Sequence, residues 1–414
     1  MAQLTDDCFA FGGETMTVDE AVRLIGERIQ PVSGTETVGL AEAQGRVLAA
    51  PIRALVSVPS TDNSAVDGYA VRHADLSPDG PTRLPVAGRV QAGGRAGRIA
   101  PGTAVRIFTG ASMPEGADTV FMQEDTQEDG DAVILPAGLK MGANRRFSGE
   151  DFAKDAVVLP QGTRLDARHL ATLAAIGHAS ATVRRRVRVA LFSTGDELTE
   201  PGATLPVGGA YDANRTLLAA LLAARGALVS DLGILRDDAQ ATAAALEAAA
   251  RAHDCILTSG GVSTGEADFV KSAVETHGRL TFWRLAIKPG RPVAMGTING
   301  AAFIGLPGNP VAAFVTFARL AAPLIDRLGG TSGDVSAGFP AIADFHAKKK
   351  AGRREYMRGA YRVEGGKLVV SKFPKEGAAL LSSLIETDGL IELGEAVTRV
   401  VPGDSVTFLP YSML

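Results

Sequence analysis

Between Arg186 and about Leu328, short apolar runs alternate with longer helical segments, and this alternation limits the architecture more than any other feature of the chain. The runs "VRVALFST", "LVSDLGIL", "CILTS" and "LTFWRLAI" read as strands, and "NRTLLAALLAARG", "AQATAAALEAAARAH" and "EADFVKSAVETHG" as helices. Apolar strands each followed by a helix of about ten residues or more predict βαβ units, hence a mainly parallel sheet covered on both faces. Asn299-Gly300, set between "VAMGTI" and "AAFIGL", predicts one antiparallel hairpin within that sheet. The Ala-rich tract at 241–252 is a helix by composition.

A chain of 414 residues exceeds one ordinary core. "TVDEAVRLIGERI" predicts a helix with Thr17 as N-cap and Val18, Ala21, Val22 and Ile25 on one face. From Pro51 to Phe147, runs such as "LPVAGRV", "TAVRIFTGA" and "DTVFMQED" between Gly, Pro and Asp clusters predict a small β module. "DARHLATLAAIGHA" is helical again and leads into the basic stretch "RRRVRV". Packing of this helix on the N-terminal one would make the β module an insertion into a helical stalk. After Gly330 the chain returns to short strands and Gly-rich turns, predicting a small barrel or sandwich.

Composition excludes several roles. With 46% hydrophobic and 21% charged residues the chain is a globular one rather than a disordered one. A net charge of −4 offers no bulk attraction for nucleic acid or anionic lipid, so a bound anion needs a local site. The N-terminus lacks the basic start and apolar core of a signal peptide, and no apolar run reaches bilayer-spanning length. Two cysteines, Cys8 and Cys255, argue against a disulfide framework and point to a reducing cytoplasm. Six scattered histidines give no zinc pattern.

In a parallel α/β sheet, ligands bind beyond the carboxyl ends of the strands. Three such ends carry unusual loops, "STGDEL" (193–198), "TSGGVSTGEAD" (258–268) and "GLPGNP" (305–310), which are expected to converge. Gly260 and Gly261 let backbone amides approach a phosphate, although a plain strand-to-helix turn also explains them. Asn309 and Pro310 fit an N-cap and first helical position, again a sufficient structural reason. Glu197, Asp237 or Asp238, and Asp268 follow strands; acids beside a phosphate repel it unless a cation such as Mg²⁺ lies between, although helix N-termini also favour acids. "WRLAIKPGRP" places Arg284, Lys288 and Arg291 about a turn, and "GRREYMRG" adds Arg353, Arg354 and Arg358; such groups suit a small oxyanion or simply a solvated face. "STDNSAVDGYAVR" and "NRRFSGED" in the β module are denser in polar groups than turns require.

Taken in order, "DNSAVDGYAVR", "RIFTGASMPEGAD", "SGED", "STGDEL", "SGGVSTGEADFVK", "IKPGRP" and "GLPGNPVAAF" resemble the molybdopterin molybdenumtransferase family, the bacterial MoeA type, which is similar to the gephyrin E domain. The resemblance runs from about Thr15 to the C-terminus. It implies an α/β multidomain fold: a stalk from 11–50 and 149–184, an inserted β domain at 51–148, a three-layer α/β molybdopterin-binding domain at 185–330 and a C-terminal barrel-like β domain at 331–414. It implies insertion of molybdenum from molybdate into adenylylated molybdopterin with release of AMP and Mg²⁺ as cofactor. It also implies a cytoplasmic homodimer sharing its active site between subunits, with transient contacts to molybdopterin adenylyltransferase and apo-molybdoenzymes and no nucleic-acid or membrane partner. By motif, Glu197, Asp237 and Asp268 would serve catalysis and the metal, while Asp67 and Asp151, also catalytic, would complete the cleft with Thr109 and Arg146 from the dimer partner's β module and stalk. The glycine turn Gly260-Gly261 would meet the pterin nucleotide's phosphates, and Lys288, Arg284, Pro307, Pro310 and Arg358 the molybdate side, with Thr194, Gly195, Ser259, Arg291 and Asn309 as further substrate-binding positions.

The chain departs from the family where Arg284 and Arg291 replace common lysines, and where Ala378 replaces a serine in "KEGAALLSS"; Ser382 or Ser383 could substitute. Two other readings stand beside this one. An adenylyltransferase resembles the 186–330 segment alone, and a non-catalytic scaffold would use a dimer surface.

Overall fold

The computed structural model describes residues 4, 8–9, 15–32, 34–95, 97–261, 278–331 and 337–414. Its centre is a six-stranded sheet, here numbered β1 (Arg188–Thr194), β2 (Leu228–Leu235), β3 (Cys255–Ser259), β4 (Gly278–Arg284), β5 (Pro292–Ile298) and β6 (Ala301–Leu306). The strand order is β2-β1-β3-β6-β5-β4. The first four are parallel, and β5 runs antiparallel to both neighbours. The β5–β6 hairpin turns on Asn299 (φ 48°) and Gly300 (φ 81°), the two left-handed residues that a tight hairpin turn needs.

Side-chain alternation explains why these strands read as continuous apolar runs. Val189, Leu191, Cys255 and Leu257 face one core, while Ala190, Phe192 and Ile256 face another. Helix α1 (Ala213–Ala224) contributes Leu218 and Leu222 to the first core, and α2 (Ala239–Ala252) contributes Leu246, Ala249 and Ala250 to the second. A third helix, α3, starts at Pro310 and continues through a π segment, Phe317–Ala321, to Leu328, lining the first core. The expected helix "EADFVKSAVETHG" lies outside the described residues.

Two expectations differ from what is found. "LTFWRLAI" does not continue as one strand: β4 stops at Arg284, and Ile287–Lys288 pairs in parallel with Arg354–Glu355 of the C-terminal domain. The backbone there is taken by new partners, Ala286 N–H donating to Met16 and Arg354 N–H to Ala286. The N-terminal helix Val18–Arg28 forms as expected, with Glu20 N–H donating to Thr17 Oγ1 at 3.2 Å. Its Val18, Ala21, Leu24 and Ile25 pack into the central core rather than on the helix Ala167–Ala175. The latter helix belongs to a separate core with Val38, Leu48, Leu159 and Val183. The amphipathic N-terminal helix docks instead beside α3, whose residues line the same core.

The β module holds a six-stranded sheet in the order Thr119–Met122, Gly68–Val71, Ala104–Ile107, Thr82–Val90, Ala132–Leu135, Gln127–Asp129. At the other end, Arg354–Glu364, Lys367–Lys372, Phe339–Ala343, Ser405–Pro410 and Gly389–Leu393 pair in a ring, because Gly389–Leu393 also pairs with Arg354–Glu364. This closed five-stranded barrel is tied to the centre by polar contacts. Arg319 on α3 donates to Tyr356 Oη at 3.1 Å, and Arg354 forms an ion pair with Asp19 at 2.7 Å. Those ties bring the barrel loop around Ala378 against the carboxyl edge of the sheet.

Candidate functional site

The three strand-end loops converge as expected on one cleft of about 740 Å³. Thr194, Gly195 and Glu197 come from the end of β1, Ser259, Gly260 and Gly261 from β3, Pro307, Asn309 and Pro310 from β6, and Asp237 from the end of β2. Glycine is a local necessity at two of these positions. Gly260 has φ +88°, and a Cβ there would meet Thr194 Oγ1 at 2.8 Å and Thr194 O at 2.9 Å; Gly195 has φ +136°, and its Cβ would sit 2.5 Å from Glu197 Oε2. Arg236 braces the β1 loop by donating to the carbonyls of Asp196 and Leu198, both at 3.0 Å.

The acids of this edge divide by role. Asp238 caps α2, accepting from Ala241 N–H at 2.7 Å, so its presence is explained by the helix alone. Asp237 faces the cleft instead. Burial first, then repulsion from Asp196 and Glu197, raises its pKa against the opposing pull of Arg236. Glu197 and Asp237 thus offer two hard oxygen donors whose mutual repulsion a divalent cation would relieve. Among the described residues no group of three potential ligands forms a complete metal site. Asp268 lies outside the described residues.

The first turn of α1 adds residues that the motif reading passes over. Asp212, 1% exposed, caps the helix through Arg215 N–H at 3.1 Å, and accepts from Ser193 Oγ at 3.0 Å. Asn214, two residues on, donates from Nδ2 to Ser259 Oγ at 2.8 Å and to Gly308 O at 2.6 Å, latching the β3 loop to the β6 loop. Its Oδ1 is buried with no partner among the described residues. "YDANR" carries the signal for this, an Asp N-cap followed three residues later by Arg, but the helix read from "NRTLL" begins past it. Asn309 occupies the cap position of α3 without a side-chain cap bond, so its amide remains available to the cleft.

A second cavity of about 200 Å³ adjoins the first, with Ala378 lining both. It contains Lys288 and Arg358 together with Lys372 and Lys375. Lys288 Nζ lies 3.4 Å from Glu355, which Arg353 also engages at 2.7 Å. Arg358 is 8% exposed; its Nε donates to Ser383 Oγ at 3.0 Å and its Nη2 to Gly377 O at 3.0 Å. Burial lowers its pKa. Of the two serines considered as replacements near Ala378, Ser383 is buried and orients Arg358, whereas Ser382 is exposed.

The remaining candidates are not brought to these cavities within one chain. Arg284 and Arg291 are exposed and line neither; their carbonyls accept from Met16 and Leu285. Asp67, Thr109, Arg146 and Asp151 all sit in or beside the β module. Asp67 Oδ1 accepts from both Thr109 N–H and Thr109 Oγ1 at 2.7 Å, which lowers its pKa. Arg146 and Asp151 are exposed.

A mainly parallel sheet with an acid-edged, glycine-lined cleft at its carboxyl end, joined to a basic cavity from an appended barrel, places the chain among multidomain α/β proteins with a polar cleft at the strand ends. Comparison with known families makes the class specific. Residues 190–327 match the family model of a probable molybdopterin binding domain, flanked by the MoeA N-terminal region (domain I and II) over 16–177 and the MoeA C-terminal region (domain IV) over 340–411. The chain is 41% identical over 403 residues to molybdopterin molybdenumtransferase of Haemophilus influenzae, covering 96% of this chain and 99% of that one. It is 33% identical to the enzyme of that name from Bacillus subtilis, over 95% and 93% of the two chains. The crystal structure of the molybdopterin biosynthesis moeA protein from Pyrococcus horikoshii OT3 superposes with a TM-score of 0.83 at 30% identity, over 96% of this chain and 100% of that one. The chain belongs to the molybdopterin molybdenumtransferase family.

Proposed function

We propose that this protein inserts molybdenum from molybdate into adenylylated molybdopterin, releasing AMP. The observation that carries the reading is the meeting of two cavities of unlike chemistry at Ala378. The larger suits a phosphorylated pterin nucleotide: the left-handed glycines Gly260 and Gly261 let main chain approach a phosphate closely, and the N-terminus of α1 adds a favourable dipole. The smaller suits an oxyanion, since Arg358 is held by Ser383 and Gly377 with further N–H groups to spare, and Lys288 adds a point charge.

In this reading water cleaves the phosphoanhydride, freeing AMP and leaving the phosphate on molybdopterin. Molybdate gains the two dithiolene sulfurs while one oxide departs as water with the two thiol protons. Glu197 and Asp237 would hold Mg²⁺, with Asp268 as a third candidate, and the ion would supply charge neutralisation at the phosphates. The raised pKa of Asp237 supports this role, because a carboxylate that resists ionisation when alone is one that a cation stabilises. Pro307, Asn309 and Pro310 line the larger cleft rather than the basic cavity. Asp67, Thr109, Arg146 and Asp151 would complete the cleft from a second subunit, in a cytoplasmic homodimer; no described helix is long and apolar enough to cross a membrane.

The test is an insertion assay with purified protein, adenylyl-molybdopterin, Mg²⁺ and molybdate, following AMP release and recovery of an apo-molybdoenzyme. Coupled release and recovery are expected. AMP transfer from ATP onto molybdopterin without insertion would instead identify an adenylyltransferase, and binding without either reaction a scaffold. Sedimentation of the same sample gives the oligomeric state.

A further inference from the structure

The basic stretch "RRRVRV" takes no part in either cavity, yet it builds a third. Where the chain passes from the stalk into β1, a small pocket is lined by Arg46, Arg164, Arg184, Arg185, Arg186 and Arg225. Several of these guanidinium groups are satisfied. Arg164 and Arg225 share Asp326 at 2.8 and 2.6 Å, Arg46 binds Glu36 and the carbonyl of Arg184, and Arg185 makes a forked pair with Asp254. Arg184 and Arg186 differ. Among the described residues neither side chain has a hydrogen-bond or ion-pair partner, and Arg184 Nε is buried and unpaired beside Gly330.

A buried guanidinium N–H without an acceptor is a costly arrangement that calls for a ligand. Six arginines here face three acids, Glu36, Asp326 and Asp254, so positive charge is in excess. The pocket is small, with a free volume of about 20 Å³, which suits one compact ion and not an extended ligand.

We propose that this pocket, formed by Arg184 and Arg186 with the surrounding arginines at the junction of stalk and central sheet, binds a single tetrahedral oxyanion of the phosphate or sulfate kind. Two unpaired guanidinium groups match a dianion in charge, and arginine's planar fork matches its oxygens. The lining comes from the stalk (Arg46, Arg164) and from the central domain (Arg225), so the anion cross-links the two and stiffens the joint between them.

The test is thermal melting of the full chain against inorganic phosphate and, separately, sulfate, with sodium chloride holding ionic strength constant. Wild-type protein is expected to show a saturable rise in Tm at low millimolar anion, superimposed on the weak linear rise that such salts give any protein. Arg184→Gln should lose the saturable part, with binding at least roughly tenfold weaker. Lys288→Ala should retain it, because that residue lies in the separate basic cavity. No saturable rise in wild type means that water fills the pocket and overturns the proposal. So does an unchanged curve in Arg184→Gln, or its loss in Lys288→Ala, which would move the anion to the other cavity. The outcome is independent of insertion activity.

Discussion

Asn214 offers a test that separates holding the cleft together from holding its ligand. In Asn214→Ala the free protein loses two hydrogen bonds, those to Ser259 Oγ at 2.8 Å and Gly308 O at 2.6 Å. At about 1 kcal/mol net each this would cost about 2 kcal/mol. The substitution also removes an oxygen that is buried without a partner, and relief of that penalty returns about 1 kcal/mol or more. Stability of the unliganded protein should therefore fall by only about 1 kcal/mol. With a donor of the proposed pterin nucleotide set on Oδ1, the bound state would have no such compensation, and affinity should drop about tenfold. Urea unfolding of the free protein and a titration with adenylyl-molybdopterin measure the two numbers. A loss above about 3 kcal/mol with unchanged affinity would refute the reasoning, because Asn214 would then be a structural latch whose Oδ1 faces no ligand.

Gly260→Ala should destabilise the protein by roughly 2 kcal/mol or more and weaken nucleotide binding, because its Cβ meets Thr194 O at 2.9 Å in a left-handed backbone; chemical denaturation and the same titration check both. Asp254, whose side chain is fully buried, is held well below the usual carboxylate range by Arg185 and Arg188 despite the opposing effect of burial. Asp254→Ala should cost roughly 3 kcal/mol at neutral pH. A depressed folded pKa contributes stability above the unfolded value and loses it as pH falls, so the wild-type advantage should shrink below about pH 4 in melts run across pH. Asp237 has the opposite sign: its raised pKa contributes stability below the unfolded value and loses it as pH rises through the folded one. Asp237→Asn without Mg²⁺ should melt slightly higher than wild type at pH 7, on the order of 1 °C, with the difference vanishing in acid. Its melting should respond less to added Mg²⁺.

The sheet was legible because strands buried on both faces must be apolar at every position, which makes "VRVALFST" and "CILTS" stand out without any alignment. The Asn299-Gly300 hairpin was equally local, a backbone requirement that few residue pairs meet. Convergence of the 193–198, 258–261 and 305–310 loops followed from strand direction alone. Proximity along the chain was a poorer guide. Arg284 and Arg291 flank Lys288 by a few residues yet line neither cavity, since the break after β4 turns Lys288 toward the barrel and leaves its neighbours outward. Asp237 and Asp238 were equivalent as adjacent acids until the helix took one of them as its cap.

The sequence by itself determined the local terms: where strands and helices form, which glycines must be glycine, and which charged groups were available near the sheet edge. Those depend on periodicity and backbone sterics within a few residues. The tertiary structure decided everything that needs two distant segments to meet. It set the N-terminal helix on the central core, joined Asn214 to Gly308, brought Ala378 of the barrel between two cavities, and left Arg184 unpaired among other arginines. Each of these is a choice among competing apolar faces and charge partners, and the choice is made by total burial and pairing over the whole molecule rather than by any stretch of it.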